Sequence, residues 1–221
     1  MSTRRQSIHG GLVWAAAGFL CLLPLPSLHA DWGAIPSGID DGLQAVTPTA
    51  AGGYVAARET GRILTSADGT SWAAPDIDVG YLLSGATEGA GRAVVVGNDI
   101  IISASSANLA AWGTDSQWQY WLSDIAFAAD TFVAVGGMYG DPSATHIVTS
   151  TDGTSWDQVP VDFEAVFLSV AYGNSLFVAV GEGGIIVTSP DGVTWTKRAD
   201  KSTSSMNDML SVAFGNGLFV A

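Results

Sequence analysis

The chain has very little cysteine and few basic residues. Its one cysteine, Cys21, lies in the first thirty residues, so no disulfide can cross-link the remainder, whose stability has to come from burial. After residue 30, six basic residues stand against all 21 acidic ones. Binding of phosphate backbones needs clustered cations, and an acidic surface repels them. We therefore predict no nucleic-acid partner.

Histidine and the common cofactor motifs are also scarce. His146 is the only histidine after residue 30, which excludes a metal site with several histidine ligands. The sequence contains no Asp-x-Asp-x-Asp-Gly calcium loop, no Gly-x-Gly-x-x-Gly and no Walker motif. We predict neither a metal nor a cofactor, although an incidental Ca²⁺ held by turn carboxylates stays open.

Residues 1–30 have the pattern of an export signal. Arg4 and Arg5 precede an apolar stretch from Leu12 to Leu25, and the small residue Ala30 suits cleavage. The apolar stretch is shorter than the roughly 20 residues of a membrane span, and prolines interrupt it. We predict a signal peptide over 1–30, a secreted or periplasmic protein, and no membrane attachment after cleavage. An uncleaved anchor is the alternative.

The remainder is built from internal repeats. Five tryptophans recur at intervals of 39 to 44 residues, the range of propeller blades. Each repeat contains four short apolar runs separated by turn residues, and Asp-Gly and Gly-Asn pairs suit tight hairpins. The second run is apolar at nearly every position, as expected for a strand covered on both faces. The sequence predicts an all-β protein, a β-propeller of four-stranded blades. The repeated tryptophans are Trp32, Trp72, Trp112, Trp156 and Trp195.

The repeats set the expected domain organisation. We expect one propeller over 31–221, with four recognisable blades and an incomplete one. Residues 31–35 resemble a lone fourth strand, which can close a ring of blades. Because the last repeat lacks its third strand and its Asp-Gly turn, we expect a fragment of a longer propeller. The predicted blades cover about 40–80, 81–121, 122–165, 166–205 and, in part, 206–221.

Three hairpins read Ser-x-Asp-Gly-x-Ser/Thr-Trp, which resembles the Asp-box (BNR) repeat of sialidases and related exported bacterial propellers, including photosystem II assembly-factor-like propellers. The sequence departs from the usual box in having no residue between Asp and Gly, and the second repeat has Ser103 to Trp112 in place of a box. The resemblance implies a structural role for these hairpins. The residues assigned to it are Ser66, Asp68, Gly69, Trp72, Ser150, Asp152, Gly153, Trp156, Ser189, Asp191, Gly192 and Trp195.

The third repeat carries the candidate binding site. Its first strand follows an aromatic segment, and its loop between second and third strands is enlarged. Exposed aromatics beside polar groups suit sugar rings or a protein partner, whereas Trp118 and Trp121 filling the core between blades is the alternative. We expect the cluster on the rim opposite the Asp-Gly turns. The candidate binding residues are Trp118, Tyr120, Tyr139, Asp141 and His146.

These observations favour a non-catalytic binding or scaffold module for a glycan or a protein partner. No catalytic residue is assigned. Sialidases resemble one another in an arginine cluster, but this chain has no Arg-Ile-Pro motif, and surface solvation explains Arg58 and Arg62, which flank a glycine turn. A glycoside hydrolase or another polysaccharide-active enzyme domain is the alternative, since such enzymes need two suitably placed carboxylates and the chain is rich in acids.

Overall fold

The computed structural model describes residues 42–74, 77–114, 121–138, 141–199 and 208–221. These residues form four antiparallel four-stranded sheets, one two-stranded hairpin and a short 3-10 turn at Glu182–Gly184. The prediction of an all-β fold with four four-stranded units and a shorter fifth is confirmed. The predicted signal peptide and the ring-closing segment 31–35 lie outside the described residues.

The strands follow one another in space as they do along the chain, so that every neighbouring pair in a sheet is antiparallel. Sheets 1 to 4 contain β1–β4, β5–β8, β9–β12 and β13–β16, and the hairpin contains β17 and β18. The strands are β1 (Leu43–Pro48), β2 (Tyr54–Arg58), β3 (Ile63–Ser66), β4 (Trp72–Ala73), β5 (Leu83–Gly89), β6 (Arg92–Gly97), β7 (Ile100–Ser105), β8 (Trp112–Thr114), β9 (Leu122–Ala128), β10 (Thr131–Met138), β11 (Asp141–Ser150), β12 (Asp157–Gln158), β13 (Phe167–Gly173), β14 (Leu176–Gly181), β15 (Ile186–Ser189), β16 (Thr196–Ala199), β17 (Ala213–Gly215) and β18 (Leu218–Val220).

The second strand of each sheet is the centre of the core. In β10, Phe132 and Ala134 pack with residues of sheet 2, whereas Val133 and Val135 pack with residues of sheet 4. Successive side chains of a strand point to opposite faces, so this strand has to be apolar at every position between two neighbouring sheets. The continuous apolar runs in the sequence therefore have their explanation in packing between sheets.

The first strands of the sheets contact one another in series, β1 with β5, β5 with β9, β9 with β13 and β13 with β17. Glycine permits the close approach at the end of each second strand. A Cβ at Gly136 would overlap the carbonyl oxygen of Trp121, and a Cβ at Gly97 or Gly181 would overlap the corresponding carbonyl of Leu82 or Val166. The glycines that close the second strands are thus required by packing against the chain that enters the first strand.

The strand order creates two rims. Turns between first and second strands and between third and fourth strands open at one end of every sheet, and the other connections open at the opposite end. The Asp-Gly turns lie on the first of these rims, which we call the Asp-Gly rim. The connections between second and third strands, and those leading from one sheet to the next, form the opposite rim.

Candidate functional site

The three Asp-Gly turns are closed by their own side chains. In sheet 3, Asp152 Oδ1 accepts hydrogen bonds from the backbone N–H groups of Thr154 and Ser155, both at 2.7 Å, and from the hydroxyl of Ser150 at 3.0 Å. The Ser150 oxygen in turn accepts the backbone N–H of Gly153 at 2.8 Å. A short acidic side chain that bonds to the backbone two and three residues later is a common means of stabilising a turn.

The same arrangement recurs in sheets 1 and 4 with nearly equal distances. Hydrogen bonds from the backbone lower the pKa of Asp68 and of Asp191 to about 2, and they lower the pKa of Asp152 as well. The carboxylates are thus held ionised by their own turns, one to a sheet. This arrangement does not bring two of them together as a catalytic pair would require.

Glycine and tryptophan fit each Asp-Gly turn to its surroundings. Gly153 has a φ of 71°, a conformation that other residues rarely adopt, and a Cβ there would lie 3.1 Å from Val94 of sheet 2. Trp156 is buried with its ring 6.0 Å from that of Phe132. In sheet 4, the ring N–H of Trp195 donates to the carbonyl oxygen of Gly192 at 2.8 Å. These contacts tie each turn to the core.

The turn in sheet 2 lacks the aspartate and is closed differently. The backbone N–H of Asn108 donates to Ser105, and Asn108 accepts the N–H of Ala110 at 3.2 Å. The ring N–H of Trp112 donates to the carbonyl oxygen of Leu109 at 2.8 Å, as Trp195 does to its own turn. The tryptophan contact therefore persists where the aspartate is absent. Beside this turn, a cleft of about 690 Å³ is lined mainly by small residues of sheets 1 and 2.

The candidate binding residues of the third repeat divide into described and undescribed ones. Trp118, Tyr120 and Tyr139 lie outside the described residues. Asp141 begins β11 on the rim opposite the Asp-Gly rim, where its carboxylate accepts the backbone N–H of Ser143 at 3.1 Å. His146 also lies on β11, opposite Gly136, and its partial burial lowers its pKa. Both described residues thus lie on a strand, because β11 begins at Asp141 and occupies most of the segment that the sequence predicts as an enlarged loop.

Trp121 is exposed on this rim, which contradicts the alternative that it fills the core between blades. Its exposed fraction is 45%, and those of Met138 and Leu82 are 46% and 53%. Its carbonyl oxygen accepts the N–H of Gly137 at 2.9 Å, and Asn98, whose own N–H donates to Leu82, forms a bridge with Trp121. We call Leu82, Trp121 and Met138 the rim patch.

A cleft of about 460 Å³ opens on the same rim. It is lined by Ser143, Thr145 and the segment 158–164, which leads from sheet 3 to sheet 4, and we call it the rim cleft. The hydroxyl of Thr145 accepts the N–H of Ala165 at 2.7 Å, which holds the segment against β11. A Cβ at Gly137 would lie 3.0 Å from the carbonyl oxygen of Ala144, a residue of β11. Because the N–H of Gly137 also donates to the carbonyl oxygen of Trp121, β11 lies close to the chain that enters β9.

The floor and the mouth of the rim cleft differ in polarity. Phe163 is half-buried and packs edge-on against Phe167 at 6.3 Å, while Asp162 and Glu164 are exposed beside it. The sequence analysis did not single out this segment, because its residues belong to no repeated motif. The alternation of acidic and apolar residues in Val161 to Glu164 was the available signal.

Asp124 joins the first strands of sheets 3 and 4. Its Oδ2 atom accepts the hydroxyl of Ser169 at 2.8 Å and the N–H of Val170 at 3.0 Å, and its Oδ1 atom accepts the N–H of Ile125 at 2.8 Å. Ser169 also accepts the N–H of Val212, which extends the hydrogen bonds to the fifth unit. Burial outweighs these bonds and raises the pKa of Asp124. The sequence patterns do not single out Asp124. Its one indication in the sequence is that an acidic residue stands in an otherwise mainly apolar strand.

Within the described residues, no group of three or more histidine, cysteine, aspartate or glutamate side chains is placed to hold a metal ion. The same part of the chain contains no helix long and apolar enough to cross a membrane.

The fold defines a β-propeller, since the chain is similar to solved structures of that class. It resembles YCF48 bound to a D1 peptide, with 14% identity and a TM-score of 0.61 over 84% of this chain and 60% of that one. It also resembles the WD40 propeller domain of Doa1, at 11% identity and a TM-score of 0.58 over 79% and 58%. A third similar structure is the GH74 enzyme of Niastella koreensis, at 15% identity and a TM-score of 0.52 over 70% and 24%.

The chain therefore spans less than two thirds of the length of these proteins. No protein-family model and no curated protein matches it. At such low identity the likeness establishes the fold, and the predicted propeller is confirmed.

Proposed function

We propose that this chain is a non-catalytic binding module that engages a protein partner through the rim of sheet 3. The observation that carries the proposal is the exposure of Trp121 and Met138 on the rim that also carries the rim cleft. Large apolar side chains exposed on a surface often mark interaction sites. At protein interfaces a few residues, often aromatic, contribute most of the binding energy. The length of β11 supports this, because its 10 residues exceed those of the third strands in the other sheets and add residues to this rim.

The Asp-Gly rim supports a structural role better than a binding role. Its three carboxylates are bonded to their own turns, and the tryptophans of the turns in sheets 3 and 4 pack on the core. A structure similar to this chain, YCF48, was solved with a D1 peptide bound, so the fold accommodates peptide partners in at least one other protein. That example is consistent with a protein rather than a glycan as the partner of this chain.

A glycoside hydrolase is the second candidate. Asp162 and Glu164 lie together at the rim cleft, and the GH74 enzyme shares the fold. Glycosidases use two carboxylates on opposite sides of the scissile bond. Hydrolysis of a polysaccharide by the wild-type chain, abolished in both Asp162→Asn and Glu164→Gln, would establish this alternative and displace the binding proposal.

We further propose that the chain acts outside the cytoplasm. The proposal rests on the order of basic, apolar and small residues in 1–30. Export and removal of this segment would leave the acidic propeller free of the only cysteine in the sequence.

The binding proposal is tested by comparing three forms of the full chain in crosslinked affinity capture. Trp121→Ala combined with Met138→Ala, which we call the rim variant, removes two of the three side chains of the rim patch while leaving the core intact. Val193→Ala combined with Leu218→Ala removes similarly exposed side chains elsewhere and is the matched control. We expect the same proteins to be captured by the wild type and the control and lost from the rim variant. Equal capture by all three forms would refute the proposal.

A further inference from the structure

The distribution of charge identifies the kind of partner that the rim of sheet 3 accepts. The sequence contains no lysine or arginine between Arg92 and Lys197, a stretch that includes sheets 3 and 4 apart from the end of β16. Acidic residues are frequent in the same stretch. Trp121, Met138 and the rim cleft therefore belong to a stretch of the chain whose charged side chains are acidic, and such a stretch attracts cations and repels anions.

The acidic residues stand around apolar surface. Asp162 and Glu164 flank the half-buried ring of Phe163 in the rim cleft, and Asp141 pairs with Met138 in the register of β10 and β11. An apolar contact surrounded by charges of one sign is the arrangement that steers and orients a partner of opposite charge. The carboxylates supply the steering, and the apolar side chains supply the contact area.

We infer that the occupant of this surface is an extended protein segment that carries lysine or arginine next to an apolar anchor residue. The inference rests on the proposed function and names its partner. Long basic side chains can lie along Phe163 with their apolar stems and place their charged ends at Asp162 and Glu164. A cleft of about 460 Å³ is the size that encloses a few side chains, and the rim patch on the same rim receives the anchor.

The test uses fluorescein-labelled decapeptides of alternating lysine and leucine, with glutamate replacing lysine in the matched peptide. Fluorescence anisotropy with the full chain at about 20 mM and about 500 mM salt separates steering by charge from apolar contact, because high salt screens exposed charges. We expect the lysine peptide to bind and to weaken about tenfold or more at high salt. Absence of binding by the lysine peptide at low salt, or equal binding by the glutamate peptide, would overturn the inference.

A charge-matched pair of variants locates the site. Asp162→Asn with Glu164→Gln should weaken the lysine peptide about fivefold or more. Asp130→Asn with Glu59→Gln changes the net charge equally at exposed positions away from the rim cleft, and should weaken it less than about twofold. Equal weakening by both pairs would show general attraction to an acidic protein and overturn the inference.

The same variants separate this inference from the proposed function. Suppose that loss of the two cleft carboxylates leaves partner capture intact while the rim variant loses it. The rim then binds a protein partner as proposed, but the acidic residues do not select that partner, and the inference is wrong. If a glycan array gives a ligand that the lysine peptide cannot displace and that depends on the rim cleft, a glycan is the occupant and the inference is wrong. Thermal melts of each variant should match the wild type, since all the replaced side chains are exposed.

Discussion

Replacing Asp124 should loosen two junctions between sheets at once. Its carboxylate is the acceptor for the Ser169 hydroxyl and the Val170 N–H, and Ser169 is the acceptor for Val212. Asp124→Ala leaves a buried N–H and a hydroxyl without their acceptor, each of which costs about 1–3 kcal/mol. Removal of a poorly solvated carboxylate offsets part of this loss. We expect a decrease of about 2 kcal/mol in the free energy of unfolding.

The pH dependence of the free energy of unfolding tests the role of Asp124 most specifically. Burial raises the pKa of Asp124 above that of an unfolded aspartate, so the folded chain binds more protons than the unfolded chain between the two values. Wild-type stability should therefore fall, relative to Asp124→Asn, as the pH rises from about 4 through the raised pKa. Above the raised pKa the difference should stay constant.

Urea denaturation at a series of pH values, followed by tryptophan fluorescence, measures this difference. Hydrogen exchange at Val212 and Val170 should accelerate in Asp124→Ala, because both N–H groups depend on the network. A wild type that gains stability over the Asn variant as the pH rises, or unchanged exchange at both amides, would refute the role assigned to this carboxylate.

The remaining predictions concern the turns, the packing and export. Asp152→Ala should lower the free energy of unfolding by about 1 kcal/mol, as loss of a capping aspartate does. This difference from the wild type should vanish as the pH falls from about 4 toward the lowered pKa of Asp152, and urea titrations at each pH will measure it. Gly136→Ala should cost about 3 kcal/mol or more in thermal melts because its Cβ overlaps a carbonyl oxygen, whereas Gly215→Ala, which meets no atom within 4 Å, should change stability by less than about 0.5 kcal/mol. Mass spectrometry of the exported protein should find Asp31 or a near neighbour at the N-terminus, and an intact Met1 in the membrane fraction would contradict this.

The repeats made the fold predictable from the sequence. In the fourth repeat, the sequence pattern predicts strands over Leu168–Tyr172, Leu176–Val180, Ile185–Thr188 and Thr194–Lys197. These differ from β13–β16 by two residues at most at any boundary, because the Gly and Asp-Gly turns define where each hairpin reverses. The continuous apolar second strand was also informative, since it requires cover on both faces.

The candidate site was less predictable, because it depends on contacts between repeats. Nothing in the sequence around Trp121 shows whether its ring points into a seam or into solvent. Asp124 is one acid among many until Ser169 is seen to lie opposite it, 45 residues later. The rim cleft likewise arises from β11 meeting the connection to sheet 4, and such long-range neighbours leave no local pattern.

The most direct test of the account is hydrogen–deuterium exchange of the full chain with and without a captured protein partner. We predict slower exchange in the presence of the partner at Trp121, in Asp141–Thr145 and in 158–165, with the Asp-Gly turns unchanged. Slower exchange confined to the Asp-Gly turns, with the rim of sheet 3 unaffected, would contradict the claim that this rim is the binding surface.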